Sequence, residues 1–382
     1  MNSRQRVWAA LNHQEPDRVP IDLGGTIVSS ITKTSYCELK KHLSIPLEEI
    51  TMLDFVQQLP YLEEDLLQRF GVDFRMVQLP AATAPGLAIF EEGNYYAFID
   101  RWGSKLHMPK EGGLYFDWVD FPIHEASMQA LDSYRWPRPD PHAYNLKLAG
   151  QAKHFYENTD YALVGSAVIG GGIFEQPART MGLQNFLMAL LTEPKFADRL
   201  MGEITELYIE SCNNYLDELG PYIQVFTFWD DVCTQDGWMI HPDVYRKMIK
   251  PKQKRLVEAI KKKTDAKLFY HSCGATYDLI SDLIEIGFDI LNPVQVSARG
   301  MDTKRLKQDF GKEMVFWGGG VDTQRVLPFG KPEEVAEEVK RRIDDLAPGG
   351  GFVFAAVHNI QAFVPPENVV AAFDTALEYG WY

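Results

Sequence analysis

The sequence is poor in cysteine and has no long apolar run. Four cysteines in 382 residues are too few and too scattered for a disulfide framework, so we expect reduced thiols and a cytoplasmic protein. No uninterrupted apolar stretch approaches the roughly 18 residues that a membrane span requires. The N-terminal segment MNSRQRVWAALNHQ predicts a short amphipathic helix without the apolar core of a secretory signal. These absences argue against secretion and against membrane insertion.

An excess of basic charge is missing as well. The formal net charge is −15, whereas nucleic-acid binders and proteins of anionic membrane surfaces usually present a basic face, so neither partner is expected. No GxGxxG motif follows the first strand of a predicted βαβ unit, which counts against a dinucleotide-binding fold. The chain does have a hydrophobic content of 46%, which at this length allows a large buried core.

Apolar strands alternate with amphipathic helices from Asn145 to the C-terminus. Helices are predicted at 243–263 and 276–286, and an earlier strand is predicted at 19–23. The later strands are predicted at 163–169, 222–228, 267–270, 288–291, 314–317 and 352–356. Strands that alternate with helices form parallel sheets, and this many in series favour closure. The sequence therefore predicts an α/β fold, a (β/α)8 TIM barrel, rather than an open doubly wound sheet.

Residues 75–125 interrupt this pattern. Glycine, proline and closely spaced aromatic residues occur there with an alternation of period two, which predicts β-hairpins. We expect a single barrel domain over residues 1–382, with 75–125 as an inserted or covering elaboration near its active end. The proline-rich stretch 136–144 is predicted to be the linker that follows.

Polar residues capable of chemistry follow the predicted end of nearly every strand. A barrel gathers the carboxyl ends of its strands at one mouth, where its active site is built. Ordinary packing gives no reason for such a pattern. The residues are Asp22, Glu175, Asp230, Asp231, His271, Cys273, Asn292, Gln295, Asp322, Gln324 and His358.

The segment LFYHSCG, residues 268–274, places an imidazole and a thiol two residues apart at a strand end. Gly274 gives the backbone the freedom to turn both groups toward one point. A single buried cysteine is more often inert packing, but His358 is the remaining histidine at a strand end and can supply a third ligand. Sulfur and imidazole donors suit zinc better than magnesium or calcium, so we predict a zinc site with an exchangeable fourth position.

The acidic and amide residues each have two interpretations. Glu175 is either an acid favoured by a helix N-terminus or a displaceable fourth metal ligand. Asp230 and Asp231 either cap a turn or serve in substrate binding and acid–base catalysis. The polar residues of the later strand ends contact either the substrate or the metal ligands, and they are Asn292, Gln295, Asp322 and Gln324.

Aromatic residues are frequent at the same strand ends. Several are expected in the core. A mouth lined by Trp229 and Trp317 beside a metal would nevertheless suit a planar apolar substrate, and Phe174 is a further candidate contact. The full set is Phe174, Phe228, Trp229, Tyr270, Phe316, Trp317 and Phe363.

Four segments of the later chain carry distinctive motifs. They are DDVCTQDGWMIHPDVYRKMIKPKQKRLVEAIK, FYHSCGATYDLISDLIEIGFDILNPVQ, FWGGGVDTQRVLPFG and VHNIQAFVPPENV. These segments resemble the uroporphyrinogen decarboxylase superfamily, and within it the zinc-dependent, cobalamin-linked methyltransferases. The similarity covers nearly all of residues 145–382, whereas the front third matches only through EPDRVP. The resemblance implies a TIM barrel, in agreement with the strand pattern.

Two departures from the family pattern bear on function. The decarboxylase branch carries arginines near its N-terminus that hold the carboxylates of a tetrapyrrole, whereas IDLGGT stands at that place here. The thiol-methylating members complete the His-x-Cys pair with a cysteine, whereas His358 stands there in this chain. A neutral imidazole in place of a thiolate makes bound zinc more electrophilic, which favours activation of a methyl donor over activation of a thiol.

The resemblance therefore implies a methyltransferase that moves a methyl group from a methoxylated, aromatic substrate to cob(I)alamin. Zinc would be held by His271, Cys273 and His358. Glu175 would be the fourth ligand, and Asp230 or Asp231 would handle a proton. The chain contains no DxHxxG-type corrinoid motif, so a partner corrinoid protein would bring the cobalamin.

Other functions stay open on the sequence. Within enzymes these are methyl transfer to a thiol and a decarboxylase-like reaction on a porphyrin, which should not need a metal. A non-catalytic barrel that binds a ligand is the alternative from a different class. The oligomeric state is open too, and a homodimer is compatible with the sequence.

Overall fold

Seven parallel strands form a curled sheet at the centre of the molecule. The computed structural model describes residues 1–79, 81, 87–166 and 170–382. Residues 167–169 of the predicted strand 163–169 lie outside the described residues, as do residues 80 and 82–86 of the predicted hairpin segment. The described strands are β1 (Met52–Asp54), β2 (Leu59–Pro60), β3 (Phe74–Val77), β4 (Phe90–Glu92), β5 (Tyr95–Ile99), β6 (Lys105–Pro109), β7 (Asp117–Asp120), β8 (Ala162–Gly165), β9 (Val225–Trp229), β10 (Lys267–His271), β11 (Ile290–Asn292), β12 (Val315–Trp317) and β13 (Phe352–Val353).

Amphipathic helices surround the parallel sheet. In α14, for example, the buried Val335, Val339 and Ile343 recur every four residues, so one face of the helix packs inward. None of the described helices combines the length and the apolar character needed to cross a bilayer. The helices are α1 (Ser3–Leu11), α2 (Lys33–His42), α3 (Glu64–Arg69), α4 (Met128–Ser133), α5 (His142–Asn158), α6 (Glu175–Met181), α7 (Leu183–Thr192), α8 (Pro194–Leu219), α9 (Pro242–Val244), α10 (Lys250–Lys261), α11 (Ile280–Ile286), α12 (Thr303–Phe310), α13 (Val326–Phe329), α14 (Pro332–Leu346) and α15 (Pro366–Tyr379).

The N-terminal segment closes the sheet between β13 and β3. The strand order is β13, β12, β11, β10, β9, β8, β3, with every neighbouring pair parallel. Ile21 forms a parallel bridge with Phe354, and the N–H of Asp22 donates to the Phe354 carbonyl at 2.8 Å. On the other edge, the N–H of Asp73 donates to the Ile21 carbonyl at 2.9 Å. These bonds confirm the predicted α/β barrel, with segment 19–23 in the place of an eighth strand.

Successive residues of each strand face alternately the barrel interior and the helices. Val225 and Phe269 pack inside the barrel. Because the side-chain period of a strand is two, Trp229 and His271 at the carboxyl ends of the same strands also point inward, and the two are paired in register. The aromatic residues one position out of this phase pack against the helices, and they include Phe228, Tyr270 and Phe316.

An antiparallel sheet of β4, β5, β6 and β7 lies within the segment predicted to form hairpins, which confirms that prediction. This sheet and the chain that follows it contact α6. The Ser104 hydroxyl donates to the Arg179 carbonyl at 2.7 Å, and the Ile123 N–H donates to the Thr180 carbonyl at 3.2 Å. The Arg179 guanidinium lies 4.6 Å from the ring centre of Trp118. The hairpin sheet therefore rests on the helix that follows β8.

Ion pairs and hydrogen bonds of the buried Asp73 attach α1 and the segment that closes the sheet, residues 19–23, to the start of β3. Asp73, which is fully buried, accepts hydrogen bonds from Arg6 at 2.7 Å and from Arg18 at 2.9 and 3.2 Å. The same carboxylate accepts the Ile21 N–H at 2.9 Å. Arg6 also pairs with Asp17 at 2.7 Å, which holds the pKa of that carboxyl below its usual range. One buried carboxylate thus ties α1 and the closing segment to β3.

We expect Asp73→Asn to destabilise the fold by about 3–5 kcal/mol, because it leaves two buried guanidinium groups short of a counter-charge. Asp374→Asn is the matched control, since it breaks the surface pair between Arg69 and Asp374 and should cost less than about 1 kcal/mol. Urea unfolding of both variants at neutral pH measures the difference. Equal costs for the two would contradict the assignment of Asp73 as the anchor of barrel closure.

Candidate metal centre

His271, Cys273 and His358 come together at the carboxyl ends of the parallel strands. Their ligand atoms all lie within 4.8 Å of one another. The Cys273 Sγ is 3.5 Å from the His271 Nε2, and the two imidazole ring centres are 5.3 Å apart. His271 is buried, whereas Cys273 and His358 are partly buried. The structure thus brings together the three residues that the sequence predicts as metal ligands.

Asn292 sets the orientation of the His271 ring. The His271 Nδ1 lies 2.6 Å from the Asn292 Oδ1, and the Asn292 Nδ2 donates to the Trp317 carbonyl at 3.0 Å. Because the Asn292 amide nitrogen is used as a donor, its oxygen faces His271 as an acceptor and the proton of the neutral imidazole sits on Nδ1. The lone pair of Nε2 then points toward Cys273, as a metal ligand requires.

Two side chains from neighbouring loops shape the turn that presents Cys273. The Cys273 N–H donates to the Asp231 carboxylate at 2.7 Å, and the Gly274 N–H donates to the Gln295 side-chain oxygen at 2.6 Å. Gly274 has φ +101, and a Cβ built there would lie 2.4 Å from the carbonyl oxygen of Thr234. Only glycine therefore fits this turn without strain.

The chemistry of the three donors fits a divalent transition metal. Burial lowers the pKa of His358 to about 3, with a further contribution from His271. Burial also lowers the pKa of His271 and raises the pKa of the Cys273 thiol well above its ordinary value. Without a cation the cluster is therefore neutral, with two imidazole lone pairs beside a thiol. A divalent cation would favour the thiolate and would satisfy all three donors at once.

Asp230 holds the start of α6. This buried carboxylate accepts the N–H groups of Phe174 at 3.0 Å and Glu175 at 2.9 Å, and it accepts the side-chain amide of Gln253 at 2.9 Å. Burial raises the pKa of Asp230 to about 7, and the charge of Glu175 adds to the shift. Of the two interpretations of Asp230, the structure favours the cap: its oxygens are occupied by the amides that begin the helix.

Asp231 has a different environment. Its carboxylate accepts the Cys273 N–H, and burial raises its pKa, again with a contribution from the charge of Glu175. Among the described residues its second oxygen has no hydrogen-bond donor. Asp231 is therefore the carboxylate of the pair that lies next to the cluster with an oxygen to spare.

Glu175 begins α6 but is not one of the three clustered residues. Its carboxylate pairs with Arg179 at 3.1 Å, one helical turn later. The charge of Glu175 nevertheless opposes the lowering of the His271 pKa by burial and adds to the raised pKa of Cys273, so it lies within electrostatic reach of the cluster. The role of Glu175 as a fourth ligand stays a prediction.

A cavity of about 320 Å³ lies between the barrel mouth and the hairpin sheet. Trp229, which is paired in register with His271 on the neighbouring strand, lines it, whereas His271, Cys273 and His358 are not among its lining residues. Polar groups on its wall include Arg179, Asp54 and Asp100. Its aromatic lining consists of Phe55, Phe98, Trp102, Trp118, Tyr144, Tyr215 and Trp229. A cavity of this size and composition suits a single aromatic ring.

Two aromatic residues predicted to contact substrate lie in the core instead. Trp317 is fully buried in the barrel interior, where its Nε1 donates to Asp22 at 2.8 Å and its ring packs 4.4 Å from that of Phe74. Phe174 is buried against Phe186 with ring centres 5.6 Å apart. The expectation that Trp317 and Phe174 line the mouth is therefore wrong, because both rings already fill protein cavities.

The predicted polar contacts act as hydrogen-bond partners of the backbone and the ligands. Asn292 is fully buried and is occupied by His271 and Trp317, as described above. Asp322 accepts the Gln324 N–H at 2.8 Å. For Asn292, Gln295 and Asp322, direct contact with a substrate stays a prediction.

Sequence comparison extends these observations. The family described as "Uroporphyrinogen decarboxylase (URO-D)" matches residues 101–379. The chain belongs to this family. This chain is 22% identical over 275 residues to the uroporphyrinogen decarboxylase of Geobacter sulfurreducens, and the match covers 68% of this chain and 73% of that protein. It is 24% identical over 196 residues to the enzyme of Azoarcus sp. strain BH72, of whose length it spans about half (49%).

A solved structure has the same fold as this chain. The methyltransferase from Methanosarcina mazei superposes with a TM-score of 0.65 over 99% of both chains, at 17% sequence identity. Identity this low establishes a shared fold and no more. The family to which the chain belongs is described by the name of an enzyme.

Arg179 and Trp118 are site residues that sequence reasoning missed. Arg179 stands four residues after Glu175, and this helical spacing was a signal for an ion pair. Trp118 had no local signal, because it reaches the site only when the hairpin sheet packs against α6.

We expect Asn292→Ala to weaken metal binding by about 10- to 100-fold, because the His271 ring loses the acceptor that fixes its tautomer and orientation. Asn368→Ala is the control: Asn368 is also buried and donates to the Leu327 and Gly330 carbonyls at 2.8 Å, away from the cluster. Competition titration with a chromophoric chelator measures both affinities. An Asn292 variant with unchanged affinity would contradict the geometry assigned to His271.

Proposed function

We propose that the chain is a zinc-dependent methyltransferase that moves a methyl group from a methoxylated aromatic substrate to the cob(I)alamin of a partner corrinoid protein. The observation that carries the proposal is the His271, Cys273 and His358 cluster at the barrel mouth. The sequence motifs around this cluster resemble those of the zinc-dependent, cobalamin-linked branch of the superfamily. We place the enzyme in the cytoplasm, where its free cysteines would stay reduced.

The charge of the ligand set supports activation of an oxygen leaving group. One thiolate and two neutral imidazoles leave a bound zinc ion with a net positive charge. Bound zinc would supply Lewis-acid stabilisation to the departing oxygen, and the partner's cob(I)alamin would supply the nucleophile. With His358 in place of a thiolate, the site is less suited to keeping a bound thiol nucleophilic, which disfavours the alternative of thiol methylation.

The residues of the chain have separate tasks in this reaction. Trp229 and the other rings of the cavity would bind the arene and exclude water from the methyl group. Asp231, next to Cys273, would hold the proton that the departing phenolate takes up. Asp230 would position α6 and Glu175, since its own oxygens are occupied.

The corrinoid partner is proposed because the chain carries no DxHxxG motif of its own. The open side of the cluster lies at the barrel mouth, where Cys273 and His358 are only partly buried. A partner domain docking there would bring cobalt close to the substrate methyl group. A homodimer is compatible with this arrangement, provided that the mouth stays free.

Uroporphyrinogen decarboxylation is the second candidate, since the curated relatives carry that name. The N-terminal arginines count against it. Arg6 and Arg18 pair with Asp73, and residues 19–25 contain no arginine that could hold the carboxylates of a tetrapyrrole. Decarboxylation should also proceed without metal, so chelator sensitivity separates the two reactions.

We expect His358→Ala to lose stoichiometric zinc and demethylation together, because the cluster keeps only two donors. The assay supplies zinc-loaded protein, a corrinoid protein reduced to cob(I)alamin and a panel of methoxylated arenes, and follows the cob(I)alamin absorbance. His241→Ala is the control, since His241 is 71% exposed and pairs with Asp243 on the surface. A His358 variant that keeps both metal and turnover would refute the proposal. A wild-type protein that binds ligands but never changes the spectrum would point to a non-catalytic barrel.

We expect Asp231→Asn to lower turnover by about 100-fold while the metal content stays unchanged, because the amide oxygen still accepts the Cys273 N–H but the proton carrier is gone. Asp302→Asn is the control, since its exposed carboxylate also accepts a backbone N–H, that of Arg305 at 2.9 Å at the start of α12. Single-turnover rates and metal analysis of the same samples check this. Full activity in the Asp231 variant would remove it from the mechanism.

A further inference from the structure

Arg179 links the cavity, the hairpin sheet and Glu175. Its guanidinium pairs with the Glu175 carboxylate at 3.1 Å and stacks 4.6 Å from the centre of the Trp118 ring. It also forms part of the wall of the 320 Å³ cavity. A Cβ built on Gly171 would lie 3.2 Å from the Arg179 Cζ and Nε, so this glycine leaves room for the flat group. Glu175, Trp118 and Gly171 thus define the position of Arg179.

The backbone of Glu175 is tied to the backbone of the metal cluster. Its N–H is held by Asp230, the Asp230 N–H donates to the His271 carbonyl at 2.9 Å, and the adjacent Asp231 holds the Cys273 N–H. The start of α6 therefore cannot move away from the cluster without breaking these bonds. These bonds hold the backbone of Glu175 and leave its side chain, whose carboxylate pairs with Arg179, free of them.

Resting on the metal site of the proposed function, we propose that Arg179 competes with the bound metal for the Glu175 carboxylate. A carboxylate held by a guanidinium in a partly buried place has a lower tendency to join a metal. The competition keeps the fourth coordination position exchangeable, which a catalytic zinc site requires. Arg179 is a positioning residue in this scheme, since it acts through Glu175.

Through Trp118, this competition depends on whether the cavity is occupied. Trp118 comes from β7, and its ring stacks on the guanidinium that also lies next to Gly171. An aromatic ligand in the cavity would contact the same wall formed by Trp118 and Arg179. Filling the cavity would therefore change the hold of Arg179 on Glu175 and with it the ligand set of the metal.

The test is cobalt substitution of the full-length protein, in which the visible absorption reports the ligands of the metal. In Arg179→Gln, Glu175 should join the metal permanently. We expect cobalt and zinc affinity to rise roughly fivefold, the cobalt spectrum to shift, and the binding of azide to the cobalt to weaken. Arg179→Gln should have no such effect in a Glu175→Gln background.

Arg305→Gln is the matched control. Arg305 also pairs with a carboxylate four residues on, Asp309 at 3.4 Å, and also stacks on an aromatic ring, Tyr277 at 4.1 Å. It should leave metal affinity and the cobalt spectrum unchanged. Trp118→Leu is a second variant that loosens Arg179 without removing it, and it should shift the spectrum in the same direction by a smaller amount.

Unchanged affinity and spectrum in both Arg179→Gln and Trp118→Leu would overturn the inference, as would an equal shift in Arg305→Gln. If Arg179→Gln does not fold, the Trp118 variant decides alone. Wild-type protein that binds metal with these effects but never demethylates would overturn the proposed function and leave the competition standing. Wild-type protein that binds neither cobalt nor zinc would overturn both.

Discussion

The adjacent carboxylates of Asp230 and Asp231 hold the two sides of the candidate site together. Asp230 accepts the first amides of α6, and Asp231 accepts the amide of Cys273. Because both belong to one dipeptide at the end of β9, the distance between the helix that carries Glu175 and the loop that carries the thiol is set by the backbone. Burial of two carboxyl groups is costly, and these hydrogen bonds offset part of the cost. They fix the start of α6 and the turn at Cys273 relative to the end of β9.

The barrel beneath the site is closed and filled by apolar side chains. Trp317 fills the interior with Phe74 and Phe269, and its indole N–H is satisfied by Asp22. Burial raises the pKa of Asp22 to about 6. The three cluster residues lie at the strand ends above this packed interior.

Several parts of the site were predictable because their signals are local. A run of apolar residues that ends in His271 and Cys273 marks a strand end, and His358 follows another, so the parallel barrel had to bring them near each other. The hairpins of 75–125 were predictable from period-two patterning. The sequence could not tell that Trp229 reaches the mouth whereas Trp317 fills the interior. Both residues follow apolar strands, and only the depth at which each strand ends in the barrel decides the position of each ring.

Other features needed distant parts of the chain. The stacking of Trp118 on Arg179 joins a sheet and a helix that the sequence keeps apart, and the cavity exists only where they meet. Likewise, the sequence allowed a catalytic role for Asp230, whereas the structure shows that its oxygens accept the first amides of α6.

The sequence by itself determined the barrel, its order of strands and helices, and the identity of the three candidate ligands, because side-chain periodicity and strand ends are properties of short segments. The tertiary structure alone decided which polar groups are occupied and which are free, and where the cavity lies. Hydrogen bonding and packing at the mouth join residues that are far apart in the chain, so no local pattern records them. The segment LFYHSCG shows both contributions. Its sequence predicted the imidazole and the thiol as ligands, whereas the tertiary contacts orient them: Asn292 accepts from the His271 ring, and Asp231 accepts the Cys273 N–H.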